Sequence, residues 1–186
     1  MLAAIDAAQL AKVAGVTMNV YGLGPSAIDY PVAATEMAKA TGRPERFAGL
    51  HYFYPAAVNQ LLEVVAGEKT APEVVKALLE LGRNTGKIPI EVADAPGFAV
   101  NRFFVPWLNE ACRIVEEGVA NAITVDEAAK DAFKIGMGPY ELMNATGVPI
   151  AFNAETSLAK GLGKFYEPAA LLKAQGHRVS VVDAVP

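Results

Sequence analysis

The chain has two histidines, and one of them, His51, lies in the apolar segment Phe47–Phe53, where a polar ring is unexpected. A carboxylate, Glu63, lies in the next apolar segment, Leu61–Val65, which has the length and composition of a buried strand. Because a buried carboxylate without a partner is costly, Glu63 is expected to have one. If the two strands lie side by side, the imidazole of His51 can be that partner.

Such a pair has one chemical use and one structural use. A carboxylate bonded to one ring nitrogen of a histidine fixes the tautomer and makes the other nitrogen a general base that works near neutral pH. The same two side chains can also form a hydrogen-bonded pair that only holds the strands together. From the residues alone, the two interpretations of His51 and Glu63 are about equally supported.

A third polar residue, Asn101, follows Pro96–Val100 and stands at the start of a long predicted helix. Asparagine is typical of a helix cap or first turn, and propensity favours this structural interpretation. The side-chain amide of Asn101 can also be presented to the carbonyl group of a substrate, so both interpretations stay open.

The elements that must position these residues change in type along the chain. Before residue 95 strands and helices alternate, and after residue 96 the pattern is nearly all helical. The predicted strands are 16–21, 47–53, 61–65 and 87–92. The predicted helices are 2–13, 32–41, 72–84, 98–117, 140–145, 151–162 and 168–174. A further helix is predicted to begin at a capping box formed by Thr124–Glu127. The sequence therefore predicts a partial Rossmann-like α/β part over residues 1–95, followed by an all-α helical domain over residues 96–186.

Composition excludes several classes of protein. A net charge of −4 argues against a nucleic-acid partner, and 53% hydrophobic with 19% charged residues argues against disorder. The longest uncharged stretches, 13–28 and 47–62, are interrupted and fall short of the ~20 apolar residues that span a bilayer. The single cysteine, Cys112, allows neither an internal disulfide nor a cysteine metal cluster. With no secretory signal visible at its start, we expect a cytoplasmic protein without a metal or membrane.

Five motifs occur in order along the chain: RPERFAGLHYFYP at 43–55, LEVV at 62–65, DAPGFAVNR at 94–102, PWLNEA at 106–111 and GPYEL at 138–142. Together they resemble the 3-hydroxyacyl-CoA dehydrogenase family, from the last part of its nucleotide-binding domain through its helical domain. The resemblance covers about residues 36–175, which is most of the chain.

The resemblance implies an NAD-dependent oxidoreductase of fatty acid β-oxidation that interconverts 3-hydroxyacyl-CoA and 3-oxoacyl-CoA. His51 matches the family's catalytic histidine, Glu63 matches its partner glutamate, and Asn101 matches an asparagine on the substrate side. This makes the catalytic interpretation of the pair the favoured one. In the family the helical domain also pairs subunits, so the resemblance implies a homodimer through the residues after Gly97.

The sequence departs from the family most clearly in the nucleotide-binding half. A Rossmann domain begins with a strand, a G-x-G-x-x-G loop and a helix, and no such unit precedes His51 with room for its βαβ. The segment Gly22–Ala27 formally fits G-x-G-x-x-A, so Gly22 and Gly24 are the candidates for cofactor binding. Pro25 within the segment favours an ordinary loop.

Two further departures concern the substrate. The family carries a serine upstream of its histidine, and the matching position here is Tyr30, with Ser26 nearby as a candidate substitute. The asparagine that precedes the motif proline in the family is Tyr54 here. Ser26 and Tyr54 are therefore candidate substrate-binding residues, and neither carries the family's own side chain at its own position.

Two functions from different classes follow. In the first, the chain is a dehydrogenase piece that keeps the base and the helical domain, and a second chain or a further segment supplies the NAD site. In the second, it is a non-catalytic acyl-CoA-binding or assembly module derived from the family. The retained His51–Glu63 pair favours the first, and the missing phosphate loop favours the second. The segment 177–183 has the pattern of a strand closed by an acid. It resembles the second strand of a Rossmann unit, in which that acid binds the adenosine ribose, but an edge strand with a solvated aspartate is the favoured interpretation.

Overall fold

The computed structural model describes residues 17–20, 33–53 and 55–176. The predicted helix 2–13, the glycine-containing segment 22–27, Tyr54 and the predicted strand 177–183 lie outside the described residues. The chain forms two compact units that divide between Ala99 and Val100. The division expected from the sequence, between residues 95 and 96, stays a prediction.

The elements described in the first unit are β1 (Thr17–Val20), α1 (Ala33–Ala40), β2 (Phe47–Tyr52), β3 (Leu61–Ala66), α2 (Pro72–Asn84) and β4 (Ile88–Ala93). The four strands form a sheet in the order β1–β2–β3–β4. Strands β1 and β2 are parallel, β2 and β3 are antiparallel, and β3 and β4 are parallel. Helix α1 precedes β2, and helix α2 connects β3 to β4. The predicted α/β part is confirmed.

Both faces of the central strands β2 and β3 are covered, which explains why their sequences are almost continuously apolar. On one face, alternate residues of the two strands pack against α2 in a buried cluster of Ala48, Leu50, Leu62, Val64, Val74, Val75 and Leu78. On the other face, Phe47 and Val65 pack against Ala34 and Ala38 of α1. Because side chains alternate along a strand, the odd-numbered residues of β2 and β3 share the α1 face.

The second unit is helical throughout its described part, as predicted. Its elements are α3 (Val100–Glu116), α4 (Ala122–Phe133), α5 (Pro139–Thr146), α6 (Val148–Leu162) and α7 (Ala170–Gln175). Helix α3 lies at the centre, and its buried residues Leu108, Ala111 and Cys112 pack against α5, α6 and α7. Within the described ranges we find no helix whose length and apolar character would let it cross a membrane.

The capping box predicted at Thr124–Glu127 is wrong. Helix α4 begins at Ala122, three residues earlier than a box with Thr124 as its N-cap predicts, and its N-cap is Asn121. The Asn121 side chain accepts a hydrogen bond from the Thr124 N–H at 2.9 Å. Asparagine is as good a cap as threonine, so the two candidate starts compete at the sequence level, and Asn121 fills the role.

A polar cluster lies inside the second unit between α3 and α6. The carboxyl of Glu155 is fully buried, and its Oε1 accepts a hydrogen bond from Asn109 Nδ2 at 3.0 Å. Asn109 Nδ2 also donates to the Glu167 carbonyl, and Asn109 Oδ1 accepts from the Ala169 N–H. Asn109 thereby fixes the segment that leads into α7 against α3.

Candidate active site

The strand register brings the two residues singled out from the sequence together. In the antiparallel pair of β2 and β3, His51 stands directly opposite Glu63. Both are odd-numbered residues of their strands, so both side chains point to the face that α1 covers. The expectation that the two strands lie side by side and join imidazole to carboxylate is confirmed.

The contact between them is a short hydrogen bond in a buried setting. His51 Nδ1 lies 2.6 Å from Glu63 Oε2, while the Glu63 side chain has no exposure and that of His51 retains 18%. An ionised carboxylate can only accept, so the hydrogen belongs to Nδ1 and the neutral ring has its lone pair on Nε2. We call this pair the His51–Glu63 dyad.

The second oxygen of the carboxylate is held by the backbone. Glu63 Oε1 accepts a hydrogen bond from the Ala99 N–H at 3.0 Å. Ala99 follows a turn in which Gly97 and Phe98 both have positive φ, of 74° and 49°. With a donor on each oxygen, the Glu63 carboxylate is compensated for its burial, and its plane is fixed.

Two aromatic rings surround the imidazole. The centroid of Phe53 lies 4.5 Å from that of His51, and the centroid of Phe98 lies 5.6 Å away, both in tilted arrangements. The two phenylalanine rings make apolar contacts with the imidazole, whereas Glu63 binds its Nδ1. The arrangement leaves Nε2 as the ring nitrogen that can exchange a proton with a bound molecule.

The other candidates from the sequence have different outcomes. Asn101 is partly buried and lies in the first turn of α3, as predicted from its residue type. Its contact with a substrate stays a prediction. Ser26, Tyr54, Gly22 and Gly24 lie outside the described residues, so their roles also stay predictions. No cluster of three or more His, Cys, Asp or Glu suited to a metal ion occurs in the described ranges.

Sequence reasoning missed three contributors to the site, namely Phe53, Phe98 and the Ala99 N–H. Gly97 in the segment Asp94–Gly97 is a signal for a turn, and its positive φ agrees with that prediction. Nothing in the sequence indicates that Phe98 adopts a left-handed conformation or that the Ala99 N–H donates a hydrogen bond to Glu63. Both depend on the surroundings of the turn.

Two family models match the chain in succession. Residues 31–95 match the model of the 3-hydroxyacyl-CoA dehydrogenase NAD-binding domain. Residues 97–177 match the model of the 3-hydroxyacyl-CoA dehydrogenase C-terminal domain. The first match contains the dyad, and the second contains Asn101.

Similar proteins carry related names. The chain is 42% identical over 127 residues to 3-hydroxyadipyl-CoA dehydrogenase of Escherichia coli K12, which is 68% of this chain and 27% of that protein. It is 40% identical over 142 residues to a fatty acid oxidation complex subunit alpha of Shewanella amazonensis, which is 75% of this chain and 20% of that protein.

A solved structure shares the fold. The crystal structure of (S)-3-hydroxybutyryl-CoA dehydrogenase from Ralstonia eutropha superimposes with a TM-score of 0.78 at 28% identity, over 91% of this chain and 59% of that one. The chain therefore spans between a fifth and three fifths of the length of these three proteins.

Proposed function

Because the chain belongs to the 3-hydroxyacyl-CoA dehydrogenase family, we propose that it supplies the proton-transfer dyad and the helical domain of an NAD-dependent dehydrogenase. The reaction is the interconversion of 3-hydroxyacyl-CoA and 3-oxoacyl-CoA. The observation that carries the proposal is the 2.6 Å hydrogen bond between His51 Nδ1 and the buried Glu63 carboxylate. The similarity to a fatty acid oxidation complex subunit supports a place in β-oxidation.

In this proposal His51 moves the proton at the 3-oxygen of the substrate. In the oxidative direction Nε2 accepts the proton of the 3-hydroxyl group, and in the reductive direction it donates a proton to the oxygen that becomes the hydroxyl. Glu63 holds Nδ1–H throughout and stabilises the imidazolium that forms when Nε2 is protonated. Asn101 presents its side-chain amide to the acyl-CoA and helps to orient it.

The proposed cofactor is NAD, whose nicotinamide supplies the acceptor or donor of the hydride when it is bound. The chemistry of the dyad fits such a reaction, because hydride transfer at a carbinol carbon needs a base at the adjoining oxygen. The candidates for holding the pyrophosphate, Gly22 and Gly24, lie outside the described residues. Because the sequence before His51 shows no Rossmann βαβ unit with its phosphate loop, a second chain or a further segment that supplies the nucleotide-binding half is part of the proposal.

We propose acyl-CoA as the substrate class, with Ser26 and Tyr54 as further candidates for contacting it, and a homodimer formed through the residues after Gly97. Phe103, Ile123 and Phe133 of the second unit are each more than 60% exposed, which is compatible with a self-association surface. We propose a cytoplasmic location, with which the single buried and unpaired thiol of Cys112 is compatible.

The alternative, a non-catalytic acyl-CoA-binding or assembly module, is not favoured. A module that had lost the reaction would have no need for an imidazole and a carboxylate at 2.6 Å in a buried site. Cofactor binding distinguishes the two, because a module would bind acyl-CoA but not NADH.

The direct test is to mix the purified chain with NADH and acetoacetyl-CoA and to follow the loss of NADH absorbance. We expect His51→Gln to lower the rate by about 10²-fold or more, the range that a general acid–base residue contributes. The matched control is His177→Gln, the same change at the other histidine, which should retain the rate. Turnover that survives His51→Gln would contradict the proposal. A folded chain without turnover would contradict a self-sufficient enzyme and leave a subunit that needs a second chain.

A further inference from the structure

Phe98 has a backbone conformation that its residue type disfavours. Its φ is 49°, and it is one of two non-glycine residues with positive φ among the described parts of the chain. The other, Lys134, ends helix α4, where left-handed residues are common. Because a side chain with a Cβ clashes in this region, such a residue persists only where its surroundings hold it.

The ring of Phe98 joins the core of the first unit to the dyad. It packs against the cluster of Phe47 and Val65 from the sheet and Ala34 and Ala38 from α1. The same ring lies 5.6 Å from the imidazole of His51, with an angle of 57° between the ring planes. The core therefore holds Phe98 in place, and Phe98 contacts the imidazole.

The backbone of Phe98 determines where the next amide points. The Phe98 N–H donates to the Ala95 carbonyl at 2.9 Å, which closes the turn. The next amide, the Ala99 N–H, donates to Glu63 Oε1 at 3.0 Å. One residue thus contacts the imidazole with its ring and directs an amide to the carboxylate with its backbone.

We propose that Phe98 is a positioning residue for the His51–Glu63 dyad. Its ring restricts rotation of the imidazole, and its left-handed backbone orients the carboxylate that selects the tautomer with the hydrogen on Nδ1. The kinetic part of this inference rests on the proposed function, whereas the tautomer part depends only on the geometry of the dyad.

The first readout is the tautomer of His51, measured from the ¹⁵N shifts of its ring in the His177→Gln background, where it is the only histidine. In the unsubstituted Phe98 chain we expect the Nδ1–H form to predominate. Phe98→Gly removes the ring and also relaxes the backbone, since glycine adopts many conformations. We expect this variant to shift the tautomer ratio towards that of a free histidine.

The second readout is kinetic. A reacting group displaced by about 1 Å can lose about 10²-fold in rate, so we expect Phe98→Gly to lower kcat by about 10- to 100-fold. We expect KM to change by less than about twofold, because the role proposed for the ring is to position the base. Phe98→Tyr, which keeps the ring, should recover most of the rate. The matched control is Phe165→Gly, the same change at a phenylalanine that is 71% exposed.

The outcomes distinguish the positioning role of Phe98 from the proposed dehydrogenase function. A folded Phe98→Gly chain with the tautomer ratio and kcat of the parent would overturn the positioning role. If that variant does not fold, Phe98→Leu decides, because leucine fills the apolar space without a flat ring, and a tautomer ratio and kcat that both equal those of the parent would overturn the role. A tautomer shift in a chain that has no turnover even with Phe98 intact would support positioning and contradict the self-sufficient enzyme.

Discussion

Replacing Glu155 by glutamine should make the protein more stable at alkaline pH and leave its stability at acidic pH nearly unchanged. The Glu155 carboxyl is fully buried on α6, where Asn109 donates to Oε1 and Oε2 has no partner among the described residues. Burial raises its pKa from the ordinary value of 4.5 to about 7, and the charge of Arg113 and the Asn109 hydrogen bond offset only part of this effect.

The direction in which stability changes with pH follows from which state of the chain keeps the proton on Glu155. Between about pH 4.5 and about pH 7 the folded chain keeps a proton on Glu155 that the unfolded chain has lost, so the free energy of unfolding falls as pH rises through this range. Each tenfold change in proton affinity is worth about 1.4 kcal/mol, so a pKa moved from 4.5 to about 7 corresponds to about 3 kcal/mol. Glutamine resembles the protonated carboxyl and has no proton to lose.

The assay is urea unfolding of both chains between about pH 5 and about pH 8, where a difference of about 3 kcal/mol is a large part of the stability of a small domain. We expect the stability gained by Glu155→Gln to grow with pH and to level off above about pH 7. The control, Glu117→Gln, changes an exposed glutamate after α3 and should show no such growth. A stability difference between Glu155→Gln and the parent that is the same at every pH would refute the reasoning.

Three further predictions concern the dyad and the start of two helices. Glu63→Gln removes the charge that holds Nδ1–H, so we expect the rate of NADH oxidation to fall by about 10²-fold while circular dichroism shows a folded chain. Asn121→Ala removes the acceptor of the Thr124 N–H and should cost about 1 kcal/mol, seen as a lower midpoint of thermal unfolding. Gly138→Ala would place a Cβ in steric conflict with Asp126, and the displacement this forces should cost about 1–3 kcal/mol in urea unfolding. Unchanged midpoints for the last two would show that these contacts are dispensable.

The pairing of His51 with Glu63 could be predicted because two simple patterns determine it. Both residues lie in apolar segments of strand length, and the alternation of side chains places odd-numbered residues of β2 and β3 on one face. A slip of one residue would turn His51 away from Glu63 and leave the buried carboxylate without its partner, so the pair itself favours the observed register. The α/β part and the helical part were predictable for the same reason, since the period of apolar residues changes along the chain.

The contacts that surround the pair could not be predicted, because they depend on competition between tertiary contacts and local preference. A phenylalanine favours an extended backbone, and Phe98 adopts a left-handed one because its ring is held by the core. Asn121 and not Thr124 caps α4, although the pattern at Thr124–Glu127 predicts the later start. Glu155 lies in helix α6, and nothing in the sequence indicates that its carboxylate is buried and not exposed to solvent.

The two fully buried glutamates differ in how the fold compensates their burial, and the difference supports the chemistry proposed for the dyad. Glu155 accepts from a neutral amide on one oxygen and has an unpartnered second oxygen, and burial raises its pKa to about 7. Glu63 is buried to the same extent, but a ring nitrogen of His51 lies against one oxygen and a backbone N–H donates to the other. The second arrangement needs a strand register and a left-handed phenylalanine in the turn before Ala99. A carboxyl that only fills a place in a core does not require these features, whereas one that must orient an imidazole requires both.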